Sequence, residues 1–383
     1  MKEKIFNLII LCLIFLFISD SKPAGKSKVW MFRGNLNRTG VYDTKGVHKA
    51  PRMKWKFETQ GAKIDTSEAV RFINRYPPLL VDSIIYFSSM DRYLYAIDIQ
   101  TGKEKWKFKR GKESYSTPAF EDGVIFFGGS EQYFFAIDVI TGKQIWKAKV
   151  GNLESSAPVV YNGIVYFGNE DSTVYAVDTK TGKKKWSFKT RGKIYSDPAF
   201  AEGVLYIGSN DGYLYALDVT MGKPIWKFKV EETEKFASVG TPAVYGGVVY
   251  FVCAYPPYIY AVDSKTGEEK WNLYLQYDNP ASLAVYNGVI YYSNGGPGEL
   301  VTIDCGTGQE KWRFPTRSYN FSTPSIADGI VYFDGWDGFL HAVDCESGEE
   351  KWKFEINGWV EGGITIADGV LYYQSNDLLI ALE

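Results

Sequence analysis

Histidine is nearly missing from this chain, with two residues, His48 and His341, among 383. Cysteine is scarce too: the four present form neither a Cys-x-x-Cys nor an adjacent pair. A disulfide framework and a zinc-type His/Cys site are therefore not indicated. No Ser/His/Asp cluster can be assembled either. His341 stands where the neighbouring repeats carry Tyr, so it reads as a packed histidine rather than a general base. Charge of one sign is also lacking, since 43 Lys and Arg face 45 Asp and Glu for a net −2. Polyanion binding needs cations clustered on one face, so nucleic acid is excluded as a general partner.

Long apolar runs are missing as well, with one exception. Lys2 and Lys4 precede the run Ile5 to Ile18, and small and polar residues follow it. That layout is a signal peptide, residues 1–21, with Ser19 and Ser21 as its −3 and −1 residues and Lys22 as the mature start. The run falls short of the roughly 20 residues a membrane-spanning helix needs, so no transmembrane span is expected after cleavage. Cys12 follows Leu11, where a lipoprotein site needs a small residue, so a lipid anchor is not supported. A periplasmic or extracellular location is expected. The mature chain keeps Cys253, Cys305 and Cys345. Cys305 and Cys345 occupy equivalent places in successive repeats, which leaves open a bridge between them or two half-buried turn thiols; the thiols are preferred.

What is present is a rhythm. Trp106, Trp146, Trp186, Trp226, Trp271, Trp312 and Trp352 are separated by 40, 40, 40, 45, 41 and 40 residues, each closing a copy of Ala-x-Asp-x-x-Thr-Gly-x-x-x-Trp. A period near 40 built from strand-type sequence marks radial repetition, in which no unit can bury its own faces. Each repeat opens on a Pro-led strand such as Pro198-Ala-Phe, turns at a pair such as Glu202-Gly203, and continues as an unbroken apolar strand such as Val204-Leu-Tyr-Ile. A third strand, Tyr213 to Asp218, and a fourth, from Trp226, complete a blade.

Eight such units begin near Pro78, Pro118, Pro158, Pro198, Pro242, Ala281, Pro324 and Ile364. The last ends at Glu383 without its own Trp strand, while Lys54-Trp55-Lys-Phe57 has a Trp strand with no unit before it. Pairing the two ends removes an exposed sheet edge. The expected fold is all-β: an eight-bladed β-propeller over residues 54–383, ring-closed by the N-terminal strand, behind a lead-in segment of residues 22–53.

The repeated Asp before each turn is read as an acceptor for backbone N–H groups, the Gly as a left-handed residue, and the Trp as a ring between blades whose indole N–H needs an acceptor. On those residues the chain resembles the PQQ-type eight-bladed propellers. The opening Trp30-Met-Phe-Arg-Gly-Asn-Leu-Asn-Arg-Thr-Gly40 also resembles the N-terminal signature of secreted members. The resemblance implies two kinds of function. One is a quinoprotein dehydrogenase holding pyrroloquinoline quinone (PQQ) above Ca²⁺; the other is a non-catalytic scaffold such as the outer-membrane assembly protein BamB. The adjacent cysteines of the methanol-dehydrogenase branch are missing, as is the lipobox usual in the scaffold.

Ligands of a propeller are expected on the face where the fourth-to-first and second-to-third strand loops gather. The first set carries Arg75, Tyr76, Tyr115, Tyr195, Asp197, Tyr319, Asn320, Trp359 and Glu361; the second carries Arg92, Glu131, Asp171, Asp211, Tyr255, Trp336 and Asp337. Trp336 and Trp359 lie outside the repeat motif and are the preferred contact residues. Tyr255-Pro-Pro257 and Gly295-Gly-Pro-Gly298 replace the usual short turns. For Asp171, Asp211 and Asp337, turn chemistry is preferred over Ca²⁺ ligation. No catalytic residue, metal ligand or cofactor is assigned. The expected function is a monomeric extracytoplasmic scaffold docking a protein or peptide on this rim. The alternatives are a quinoprotein dehydrogenase or a carbohydrate-binding or sensor propeller.

Overall fold

The computed structural model describes residues 33–61, 77–89, 91–111, 117–129, 132–151, 156–231, 237–277, 282–316, 322–335, 337–356, 358, 360, 362–375 and 377–383, with the backbone of 29–30 and 361. Its regular elements are all strands, and they form eight four-stranded antiparallel blades in a ring. Blade four is representative, with strands Ala199–Ala201, Val204–Gly208, Tyr213–Asp218 and Pro224–Lys229 running from axis to rim. Its first hairpin turns at Glu202 and Gly203, both at positive φ as a type I′ turn requires. The second strand is buried on both faces, which is why its sequence is unbroken Val-Leu-Tyr-Ile.

The hydrophobic cores lie between blades. Ile125, Phe127 and Ile137 of blade two pack with Leu79, Tyr86 and Leu94 of blade one, and Leu205, Ile207 and Leu217 of blade four pack with Val159, Tyr166 and Val174 of blade three. A blade cut from the ring would expose these faces, so the ring is the unit of stability.

Each repeated Trp from Trp106 to Trp312 docks on the next blade. The indole N–H of Trp106 donates to Val139 O at 3.1 Å, Trp186 to Val219 O at 2.8 Å and Trp226 to Ser264 O at 3.0 Å. The same carbonyl accepts the second-strand tyrosine hydroxyl of the donor blade: Tyr86 at Val139, Tyr166 at Val219 and Tyr206 at Ser264. The ring itself lies on the turn glycine of the next blade. A β carbon on Gly222 would come within 2.4 Å of the Trp186 ring, and one on Gly142 within 2.7 Å of Trp106. The glycines thus serve two needs: positive φ, and the absence of a side chain where the indole rests. The turn aspartates accept as expected, with Asp138 Oδ1 taking the N–H groups of Ile140 and Thr141 and the Thr141 hydroxyl.

The ends of the chain meet in blade eight. Met53–Glu58 pairs antiparallel with Leu378–Leu382, setting Trp55 opposite Ala381, and Arg52 and Glu383 exchange backbone hydrogen bonds. The closing blade has no Thr-Gly turn to receive Trp352. The lead-in substitutes: Val47 O accepts the Trp352 indole at 2.6 Å, and Val47 N–H donates to the Tyr332 hydroxyl.

The lead-in then does something its sequence did not suggest. The carbonyls of Leu36, Asn37, Thr39 and Gly40 accept the N–H groups of Phe200, Val244, Val285 and Ile326, the middle residues of the innermost strands of blades four to seven. Val29–Trp30 pairs with the innermost strand of blade one, Leu79–Val81. The axial edges of blades one and four to seven are therefore capped by the chain's own N-terminal segment.

Candidate functional site

The axial segment is anchored by buried charge. Arg38, 1% exposed, donates Nε to Pro198 O at 3.0 Å and Nη2 to Pro158 O at 2.9 Å and Ala157 O at 3.3 Å. Asp197, read from sequence as a rim residue, is instead buried. It sits between blades because its carboxylate accepts Ala157 N–H from blade three and the Thr241 hydroxyl from blade five. Burial pushes its carboxyl up to about 6, against the pull of Arg38. Asp334, also buried, is raised to about 6 by the same cause while accepting Val360 N–H at 2.7 Å.

The acidic turns of the loop face are taken up by neighbouring protein groups, and Asp211 also accepts Arg191 N–H at 2.9 Å from the connection after blade three. Asp171 and Asp211 each accept a tyrosine hydroxyl at 2.9 Å, from Tyr175 and Tyr215 respectively. Asp337 faces His341 Nε2 at 3.1 Å, and Glu350 holds His341 Nδ1 at 2.8 Å. His341 is thus a buried structural bridge taking the place of the repeat tyrosine. Among the described residues no group of three His, Cys, Asp or Glu comes together, and Ca²⁺ needs about six to eight oxygens around one point. Residues 36–40 also cap the innermost strands of blades four to seven. Cys253, Cys305 and Cys345 are free and buried, and burial raises the first two thiols to about 11 and the third to about 12. The Cys305 carbonyl is the acceptor for Trp271 and Tyr250, a docking role that any residue could fill.

Of the contact residues expected from sequence, Trp336, Trp359, Tyr115, Tyr319 and Arg75 lie outside the described residues, as do Tyr76, Glu131, Asn320 and the signal segment. Glu361 is described in its backbone, which pairs with Gln374. Arg92 is exposed on a blade-one turn at φ 75°. Tyr195, 38% exposed, lies under the Lys193 ammonium at 5.7 Å, and Lys193 pairs with Glu170 at 3.2 Å. The Tyr195 hydroxyl and Glu170 hold Lys193 above its usual range.

Tyr255 belongs to a larger feature. It is 51% exposed, and the Pro257 carbonyl beside it accepts Leu275 N–H, which draws the end of the outermost strand alongside. That end presents Tyr274, 61% exposed and edge-on to Tyr258 at 5.3 Å. Tyr277, 39% exposed, lies flat on the blade-six loop, where a β carbon on Gly296 would come within 2.2 Å of its ring. Three half-exposed tyrosines thus line adjoining loops of blades five and six, on the face where ligands were expected. Tyr274 and Tyr277 were missed in the sequence. The available signal was Tyr274 standing where the outer strands of blades one to four end in Lys109, Lys149, Lys189 and Lys229.

Comparison with known proteins agrees with this architecture. A family model described as outer membrane protein assembly factor BamB matches residues 52–160, 91–194, 131–282, 257–358 and 298–383. Similar solved structures include BamB from Moraxella catarrhalis, with TM-score 0.70 and 17% identity over 87% of this chain and 100% of that one. A quinohemoprotein alcohol dehydrogenase from Comamonas testosteroni matches at TM-score 0.76 and 15% identity over 92% of this chain and 80% of that one. A europium-containing methanol dehydrogenase matches at TM-score 0.73 and 15% identity over 90% and 89%. At such identities the structures share the fold alone. No curated protein matches the chain. Among the described residues no helix is long and apolar enough to cross a membrane.

Proposed function

The chain belongs to the family of outer membrane protein assembly factor BamB, and from that premise we propose that it is a non-enzymatic extracytoplasmic scaffold that docks a protein or extended peptide on its loop face. The observation that carries the reading is the tyrosine surface of Tyr255, Tyr274 and Tyr277. Exposed tyrosines combine a large apolar face with a hydroxyl and lose little side-chain entropy on binding, which is why they concentrate at protein interfaces. Trp336, Trp359, Tyr195, Arg92 and Glu361 are proposed as further contact residues. The apolar segment before residue 22 supports export, and export places the partner in the cell envelope.

A pull-down from envelope extract tests the proposal. Combined Tyr255→Ala and Tyr274→Ala substitution is expected to release the captured partner while thermal unfolding stays within a few degrees of the parent. An unchanged partner set refutes the assignment of this face. The dehydrogenase alternative is tested by adding quinone with Ca²⁺ to the purified protein, where dye-linked alcohol oxidation would replace the scaffold reading.

A further inference from the structure

The loop Arg33 to Gly40 carries two guanidinium groups into the interior, where one carboxylate, Asp197, stands close by. Arg38 is satisfied by the three carbonyls of blades three and four, and Asp197 by Ala157 N–H and the Thr241 hydroxyl. Arg33 differs. It is 2% exposed, and its Nε, Nη1 and Nη2 meet no hydrogen-bond acceptor among the described residues. The Tyr42 hydroxyl, buried beside it, has no partner within 3.5 Å, with the Thr365 side chain the foremost polar neighbour to act on it. Burial lowers the Arg33 pKa to about 9, with Arg38 repelling and Asp197 and Tyr42 attracting, so the group remains a cation at neutral pH.

A buried cation with none of its donors paired is among the costliest arrangements a fold can hold. Bridging water would satisfy N–H groups but not the charge: among the described residues, Arg33 and Arg38 against Asp197 leave one positive charge uncompensated. We propose that the interior of the ring binds one small planar monoanion of the carboxylate class, of formate or bicarbonate size, held by the Arg33 guanidinium and the Tyr42 hydroxyl. The planar fork of a guanidinium suits a two-oxygen acceptor. Smallness follows from enclosure, because Arg33 and Tyr42 are each only 2% exposed. The anion enters as the axial loop closes and leaves when it opens. It is a structural ligand tying the N-terminal segment to the blades, separate from the tyrosine face and independent of the scaffold reading.

The test is urea unfolding of the intact protein at constant ionic strength, with formate replacing the bulky anion tosylate. The unfolding midpoint is expected to climb with the logarithm of formate concentration, at the slope for one anion released per molecule unfolded. Benzoate, too large for the enclosure, is expected to give no climb. Arg33→Met is expected to abolish the formate dependence, and Tyr42→Phe, which removes one donor and keeps the ring, to weaken formate binding about tenfold. No climb in the parent protein, or an equal climb in parent and Arg33→Met, overturns the proposal. If Arg33→Met does not fold, a crystal structure grown in formate decides. Planar three-atom density against the guanidinium supports the site, and water alone at that position overturns it.

Discussion

Blade four offers two glycines that separate backbone strain from docking. Gly203 and Gly222 both hold positive φ, +80° and +66°, so an alanine at either pays the left-handed cost of roughly 1–2 kcal/mol. Their surroundings differ. A β carbon at Gly203 meets nothing within 4 Å, whereas one at Gly222 falls 2.4 Å from both Cδ2 and Cε3 of Trp186. The indole cannot retreat, because its N–H is bonded to Val219 O and its other face packs against Tyr166 at 5.7 Å. Overpacking of this kind costs about 1–3 kcal/mol. Gly203→Ala is therefore expected to lose about 1–2 kcal/mol and Gly222→Ala about 2–5 kcal/mol. Urea unfolding followed by tryptophan fluorescence measures both. In a Trp186→Leu background the Gly222→Ala cost should drop to that of Gly203→Ala, a coupling of about 1–3 kcal/mol. Equal costs for the two alanines in the parent protein would refute the claim that the repeated glycine is the seat of the indole.

Two further outcomes follow from buried charge. Asp197 and Asp334 are raised from 3.8 to about 6, so each contributes stability that is complete below pH 3.8 and lost as pH rises through 6, roughly 3 kcal/mol apiece. The turn residues Asp178, Asp263 and Asp344, lowered to about 2, act oppositely and lose their contribution as pH falls below 4. The unfolding midpoint is accordingly expected to be higher at pH 4.5 than at 7.5, and Asp334→Asn should narrow that gap; an unchanged gap would contradict the assignment. Arg38→Met strands three buried carbonyls and should cost about 3–5 kcal/mol. It should also speed hydrogen exchange at Phe200, Val244, Val285 and Ile326, whose N–H groups are bonded to the axial segment, while leaving outer-strand amides unchanged.

The ring was legible because the chain states one blade many times over, and the Trp226 strand means the same thing as the Trp186 strand forty residues earlier. The junction was legible for the complementary reason: Trp55 lacked a blade and Leu378–Leu382 lacked a strand. Residues 33–47 were opaque because they occur once. Asn35, Asn37, Arg38 and Thr39 have the composition of a surface loop, and Arg38 is buried only because carbonyls more than a hundred positions away converge on it. Asp197 misled in the same way: a polar residue before a proline reads as rim, and nothing local reveals the Thr241 hydroxyl that receives it. On the loop face, repetition hid the tyrosines, since a tyrosine ending one outer strand stands out only when the lysines ending those of blades one to four are set beside it.

The proposed binding face can be probed directly with a photoreactive phenylalanine analogue placed at Tyr274 or at Tyr245. Both are exposed, but Tyr245 ends an innermost strand at the first hairpin turn, on the opposite face of the ring. After irradiation in intact cells, the account predicts a discrete protein adduct from position 274 and none from 245. An adduct from 245 with none from 274 would place the partner on the wrong side of the ring and contradict the account.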